Sequence, residues 1–270
     1  MEKNTGTHIF KILSNRADLL WALSKRDILQ KYRGSMLGLC WSFLTPLALL
    51  AIYTIVFGTI VKMRWGPEDT GLGGFAIMLF CGMIPFNFFS EVLTRSSQII
   101  PGSPNYVKRI SFPTEILPVM VNISGLVHAL ISLLILMIAQ LLLVGHIAWT
   151  VPFLALIWIP VLISALACSL FVAAVGVFVR DLPHIIGLAF SALFFLTPII
   201  YPASRVPERL RFILFINPIA FAASNIRKVL VYGMIPNWGS LIAYTAVSLV
   251  VLYIAMRYFE IMKRRFADVI

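Results

Sequence analysis

Residues 116–144 read ILPVMVNISGLVHALISLLILMIAQLLLV, a run without one Lys, Arg, Asp or Glu. A soluble helix of this length would expose a charged face to water, whereas a helix crossing a hydrocarbon core of about 30 Å needs about 20 such residues in a row. Working outward from this stretch, comparable runs occur at 37–61, 75–94, 151–179, 183–201 and 238–256. The pattern predicts an all-α integral membrane protein with six transmembrane helices. The run at 183–201 barely reaches across. Those at 116–144 and 151–179 exceed the need, which implies tilt, extension beyond the lipid, or a kink at Pro160.

Composition agrees: 60% of the residues are hydrophobic, 12% are charged and mean hydropathy is +0.94. A charge at the centre of a membrane helix costs roughly 2.5–3.5 kcal/mol, so the 22 Lys and Arg and 11 Asp and Glu are expected near span ends. Placing both termini in the cytoplasm puts Lys and Arg inside over outside by roughly two to one, the bias that sets orientation. Before Leu37 there is no early apolar core with a small-residue cleavage site, so the first span is expected to act as the insertion signal. The organisation expected is a cytoplasmic interfacial region (1–36), a six-helix domain (37–258) and a cytoplasmic tail (259–270).

Two segments fall outside this scheme. Over 11–33, Leu13, Ala17, Leu20 and Leu23 recur at helical spacing while Lys25, Arg26, Lys31, Tyr32 and Arg33 cluster toward the first span. An amphipathic helix lying in the headgroup layer, its basic residues on anionic lipid, accounts for this pattern and for part of the net charge of +11. Nucleic acid is an unnecessary partner. The second segment, 202–237, is placed outside yet carries Arg205, Arg209, Arg211, Arg227 and Lys228 against Glu208 alone. Within it 212–223 is apolar but too short to span and is interrupted at Asn217 and Pro218, which suits re-entrant helices capping a pathway or an ordinary loop with interfacial helices. Gly34 and Gly38, a helical turn apart, would allow close contact between helices.

Several functions lack their machinery. Cys40, Cys81 and Cys168 fall in or beside spans and read as small apolar residues, not disulfides or metal ligands. Glu91 and Arg95, four apart, read as a local helix pair, and His128 and Gln140 as side chains bonding a neighbouring helix; no chain of midplane carboxylates suggests ion-coupled transport. No G-x-x-x-x-G-K-[ST] loop is present, so ATP and Mg would be bound by another subunit, and no catalytic or metal constellation appears. The chain reads as a transport subunit, not an enzyme. The spans do offer aromatic stripes: Phe43, Tyr53 and Phe57 on one face of the first, and Phe190, Phe194 and Tyr201 on one face of the fifth. Flat rings suit the apolar faces of sugars and let a polymer slide, although packing and lipid-facing aromatics are commoner.

Several motifs, in order and nearly end to end, resemble the permease subunit of bacterial ABC exporters for lipid-linked cell-surface polysaccharide, the O-antigen, capsule and teichoic-acid group. They are Arg26, Asp27 and Ile28 with Lys31, Tyr32 and Arg33, then Ser35, Leu37, Gly38, Trp41 and Pro46; Asn105, Tyr106, Val107, Lys108 and Arg109 with Phe112, Pro113, Leu117 and Pro118; Arg180, Asp181, Leu182 and His184; and Pro198, Tyr201, Pro202, Asn217, Pro218, Arg227, Gly233 and Pro236. The resemblance implies a homodimer in the inner membrane with two cytoplasmic ATPase subunits, a channel partly lined by aromatic residues, and a periplasmic gate in 202–237. It further implies a coupling element in 98–113 that seats on the ATPase, carried by Pro101, Asn105, Tyr106, Lys108 and Arg109; plain positive-inside anchoring explains Lys108 and Arg109 equally well. By the same analogy the substrate is a polysaccharide on undecaprenyl diphosphate, O-antigen first, with capsule or teichoic acid as alternatives. Arg205, Arg209 and Arg211 could meet its diphosphate or, equally, lipid phosphate. Readings of another class are a drug or small-lipid permease and a membrane assembly factor without transport.

Overall fold

The computed structural model describes residues 16–31, 33–61, 65, 74–108 and 112–269, and no strand is among them. Helix α1, Ala17–Lys31, precedes a turn that leads through Gly38–Cys40 into α2, Trp41–Tyr53. The same span then widens to π geometry over Thr54–Ile60, where the Thr54 and Thr59 hydroxyls donate back to the carbonyls of Leu50 and Ile55. There follow α3, Gly74–Ile99; the short α4, Pro104–Val107; α5, Ile116–Val144; α6, Leu154–Gly176; and α7, Leu182–Leu196. Helices α8, Arg211–Ile216, and α9, Pro218–Leu230, lead to α10, Trp238–Lys263, and α11, Phe266–Val269.

Among the described residues five helical stretches are long and apolar enough to cross a membrane: Gly38–Phe57, Gly74–Ile99, Ile116–Val144, Val151–Gly176 and Trp238–Lys263. The expected fifth span is corrected. Thr197 takes an extended conformation (φ −92°, ψ 138°) because the proline ring of Pro198 crowds the residue before it, and α7 stops after 15 residues. At 1.5 Å per residue that is about 22 Å, short of the hydrocarbon core. Helices α8 and α9 bend by 93° where they meet at Asn217, and only if such a bent pair counts as one span does the total reach six. Asn217 makes that corner: its side chain accepts from the amides of Ile219 and Ala220 while Pro218 fills the first helical position, where no amide is needed.

The hub is α3, which packs against α2, α5, α6, α7 and α9. Its first eleven residues after Gly74 are buried without interruption. Small residues bring the backbones together: a Cβ on Gly176 would overlap the Ser97 carbonyl oxygen, and one on Gly125 would lie 2.8 Å from Val92. Between α6 and α10 the seam is likewise built on Ala167, Ala173, Ala174 and Ala255. Since lipid tails are as apolar as the helix surfaces, such close approach and its dispersion contacts hold membrane helices together. Outside, α2, the far half of α5, α7 and α10 present Leu, Ile, Val and Phe.

Gly34 (φ +90°) and Gly38 (φ +49°) sit in the connection between α1 and α2, where the backbone turns, with nothing of this chain near their would-be Cβ atoms. Of the α1 stripe, Leu23 is buried as the helix packs against α5, and Leu13 lies outside the described residues. The end of the chain also folds back: Phe266 is buried against Phe259, at 5.5 Å between ring centroids, and Lys263 donates to the buried Glu115 at 2.8 and 2.9 Å.

Candidate functional site

One end of the bundle is laced together by charge. Both carboxylate oxygens of Asp27 on α1 accept from Nη2 of Arg95 on α3, at 2.6 and 2.7 Å, and Asp27 also accepts from the Ser124 hydroxyl of α5. A turn away, Lys31 donates to Glu91 at 2.9 Å, and the His128 ring lies 3.2 Å from the same carboxylate. Arg95 and Glu91 do touch, at 3.5 Å, but the guanidinium is spent on Asp27, so what reads locally as a helix pair is a bridge between helices. His128, isolated in the sequence, is a member of this network. Gln140 is the opposite case: fully buried, both its amide atoms lack a partner among the described residues.

Beside this network lies the segment expected to seat on an ATPase. Pro104 opens α4, and Pro101, Pro104, Asn105 and Lys108 are all exposed. Tyr106 is turned inward: Arg26 of α1 donates to its hydroxyl at 2.7 Å and its ring stacks on Phe112 at 4.7 Å. Helix α4 is thereby fastened to α1, while its outer surface stays open. Lys25 and Arg33 are exposed; Tyr32 and Arg109 lie outside the described residues.

The two aromatic stripes separate. Phe43 is exposed on α2, whereas Tyr53 and Phe57 are half-buried and continue through Phe75 to Trp65, with successive centroids 6.2, 5.1 and 5.6 Å apart. Phe190 and Phe194 of α7 both set their edges on Phe86 of α3, at 5.6 and 5.4 Å, and Phe190 is buried. Tyr201 lies beyond α7 and donates to the Phe195 carbonyl at 2.7 Å. Between α2 and α7 the later part of α3 stays uncovered, with Asn87 exposed and Phe86 and Ser90 half-exposed. Phe86 carries no sequence signal of this role, because its place between two stripe residues depends on how α7 crosses α3.

At the other end, Arg205, Arg209 and Arg211 are exposed around a recess lined by Leu196, Tyr201, Pro207 and Leu210. Arg211 also faces Glu208 at 3.6 Å, and Phe212, Phe215 and Ile216 of α8 are exposed beside them. Arg227 is set apart from these arginines. It is 5% exposed, donates to the carbonyls of Met78, Pro198 and Ile199 at 2.9, 2.7 and 3.0 Å, and stacks on Trp65 at 4.2 Å from the ring centroid. Asn217 reaches the Thr197 hydroxyl at 2.8 Å, and Thr150 donates to the Val229 carbonyl. Helix α9 is thus bound to the start of α3, the end of α7 and the approach to α6.

No group of three or more metal-ligating side chains occurs among the described residues. The family model of ABC-2 type transporters matches residues 18–231. The chain is 27% identical over 252 residues, 93% of its length and 94% of the relative's, to the O-antigen export system permease protein RfbA of Myxococcus xanthus. A Klebsiella pneumoniae protein of the same name is 25% identical over 261 residues, covering 94% and 95%. The polysialic acid transport protein KpsM of Escherichia coli is 25% identical over 240 residues, covering 87% and 90%.

Proposed function

The chain belongs to the family of ABC-2 type transporters, and from that premise we propose that it is the permease subunit of an ATP-driven exporter that carries undecaprenyl-diphosphate-linked polysaccharide, O-antigen first, from cytoplasm to periplasm. It is a multi-pass protein of the inner membrane. The observation that carries the reading is the exposed α4, bracketed by Pro101 and Pro104 and tied through Tyr106 to Arg26 of α1. A short rigid element fixed to a second helix and open on its outer side suits a part that another subunit pushes.

In this reading two copies, both termini cytoplasmic, pair with two ATPase subunits that bind ATP and Mg. Closure of the ATPases levers α4, and α1 moves with it. The Asp27–Arg95 and Lys31–Glu91 pairs pass that movement to α3, because breaking a part-buried ion pair costs more than shifting a helix. The route for the polymer runs along the uncovered face of α3, with Tyr53, Phe57, Phe190, Phe194 and Tyr201 beside it. Phe190 and Phe194 rest on Phe86, so α7 must part from α3 for that stretch to open. At the far end Arg205, Arg209 and Arg211 offer charge to a diphosphate or an acidic sugar. Deleting the gene should remove polysaccharide from the cell surface and leave lipid-linked polymer inside, with recovery on complementation; an unchanged surface polymer refutes the reading.

A further inference from the structure

The segment that carries α4 is held at both of its ends by a part of the chain that the link to α1 does not touch. Ahead of it Ile100, the residue after α3, is wholly buried; behind it residues 113–117 are buried without a break. Ile100 and Leu117 belong to one apolar cluster with Ala173 of α6, Phe259 of α10 and Phe266 of α11, and Tyr106, Val107 and Phe112 pack against that cluster. Phe266 reaches it because the chain turns after α10, where the Arg265 amide donates to the Met262 carbonyl at 2.9 Å. The turn leaves the Phe266 ring 5.5 Å from Phe259 and 6.3 Å from Phe178.

An ion pair closes the arrangement. The Glu115 side chain is 4% exposed, and Lys263, the last residue of α10, donates to both of its oxygens at 2.8 and 2.9 Å. Among the described residues no other cation pairs with Glu115. Drawing the end of α10 away would leave a buried carboxylate without its cation, which is strongly destabilising, so the two must travel together. Phe112, close before Glu115 in the chain, stacks on Tyr106 of α4 at 4.7 Å. A displacement of α4 therefore reaches Glu115 through Phe112, and α10 through Lys263. Helix α10 lies in turn along α6 on a seam of small residues, where close packing leaves little room to slide.

We propose that Glu115, Lys263 and Phe266 form a second anchor of α4, positioning residues through which movement of that helix reaches α10 and α6, just as Arg26 passes it to α1 and α3. The anchor rests on the reading of α4 as the element that an ATPase pushes. With two arms, a push on one short helix turns α3 and the α6 and α10 pair together. With this arm cut, ATP is hydrolysed without the bundle moving as a whole.

The test places variants of the gene in the deletion strain and reads three quantities: ATPase co-purified with the permease, ATP hydrolysed by that complex in lipid nanodiscs, and polysaccharide at the cell surface. Lys263→Met removes the cation and keeps the stem, and Phe266→Ala removes the ring. Each should leave the ATPase bound and hydrolysing while surface polymer falls about tenfold at equal amounts of complex. Glu115→Gln, which keeps the shape and leaves no buried charge unpaired, should fall in the same direction. Lys263→Arg, whose fork can meet both oxygens, should stay within about twofold of the wild type. A contact that served folding alone would lower the amount of complex and leave export per complex unchanged. That result, or wild-type surface polymer in both Lys263→Met and Phe266→Ala, overturns the second anchor and leaves the export function standing. A wild-type permease that retains no ATPase, or normal surface polymer in the deletion strain, removes instead the reading of α4 on which the anchor rests.

Discussion

Arg227 shows what a single residue contributes and how far its sequence context conceals it. Among the described residues its guanidinium has no carboxylate to neutralise it; three carbonyls and the Trp65 ring hold it, and Gly82 leaves the room, since a Cβ there would lie 2.8 Å from Nη2. Arg227→Met leaves those carbonyls without donors at about 1–3 kcal/mol each, and should lower stability by at least about 3 kcal/mol in thermal unfolding of the purified protein. Arg227→Lys should recover part of this, since an ammonium is a point donor and not a fork. In the sequence Arg227 is one of several basic residues in a loop; its partner Met78 stands 149 residues away, beyond any local pattern. The Asp27–Arg95 pair was hidden in the same way. Asp27→Asn should reduce export about tenfold or more while the complex still assembles, because the carboxylate charge is lost but the shape is kept. Export regained in the Asp27→Arg, Arg95→Asp double variant would assign the effect to the pair and not to either residue alone.

At the level of elements, the lengths of α3, α5, α6 and α10 were legible because lipid imposes one rule on them: the run must be apolar and about 20 residues long. Helix α7 broke the forecast. Its apolar run continues past Leu196, but hydropathy does not register that Pro198 forces Thr197 out of the helix. For α4, Tyr106→Ala removes the Arg26 bond and the Phe112 stack together. We expect the ATPase subunit to bind about tenfold more weakly in a pull-down titration, a loss of about 1.4 kcal/mol, with the transmembrane helices intact by circular dichroism. For the α2 stripe, Tyr53→Ala with Phe57→Ala should slow the appearance of surface polymer without preventing assembly. Normal chain length and amount would mean that these rings serve packing against Phe75 alone.

Across the whole molecule, charge is divided between two ends. One end carries α1, α4 and the α10 terminus, with paired charges that bind helices to one another; the other carries Arg205, Arg209 and Arg211, two of them without a carboxylate partner among the described residues. Replacing those three arginines with Gln should impair export and leave the ATPase complex assembled, as seen by co-purification, because they lie exposed and away from the helix seams. By itself the sequence determined that the chain is helical and membrane-embedded and where the long crossings begin and end. Those properties follow from transfer free energy, which is read residue by residue. The tertiary structure alone decided that α7 is short, that Arg227 is buried while its neighbours in the loop are not, and that α1 is bolted to α3 and α5. Each of these depends on which distant side chain or carbonyl arrives within about 3 Å, and hydrophobic periodicity carries no record of such pairings.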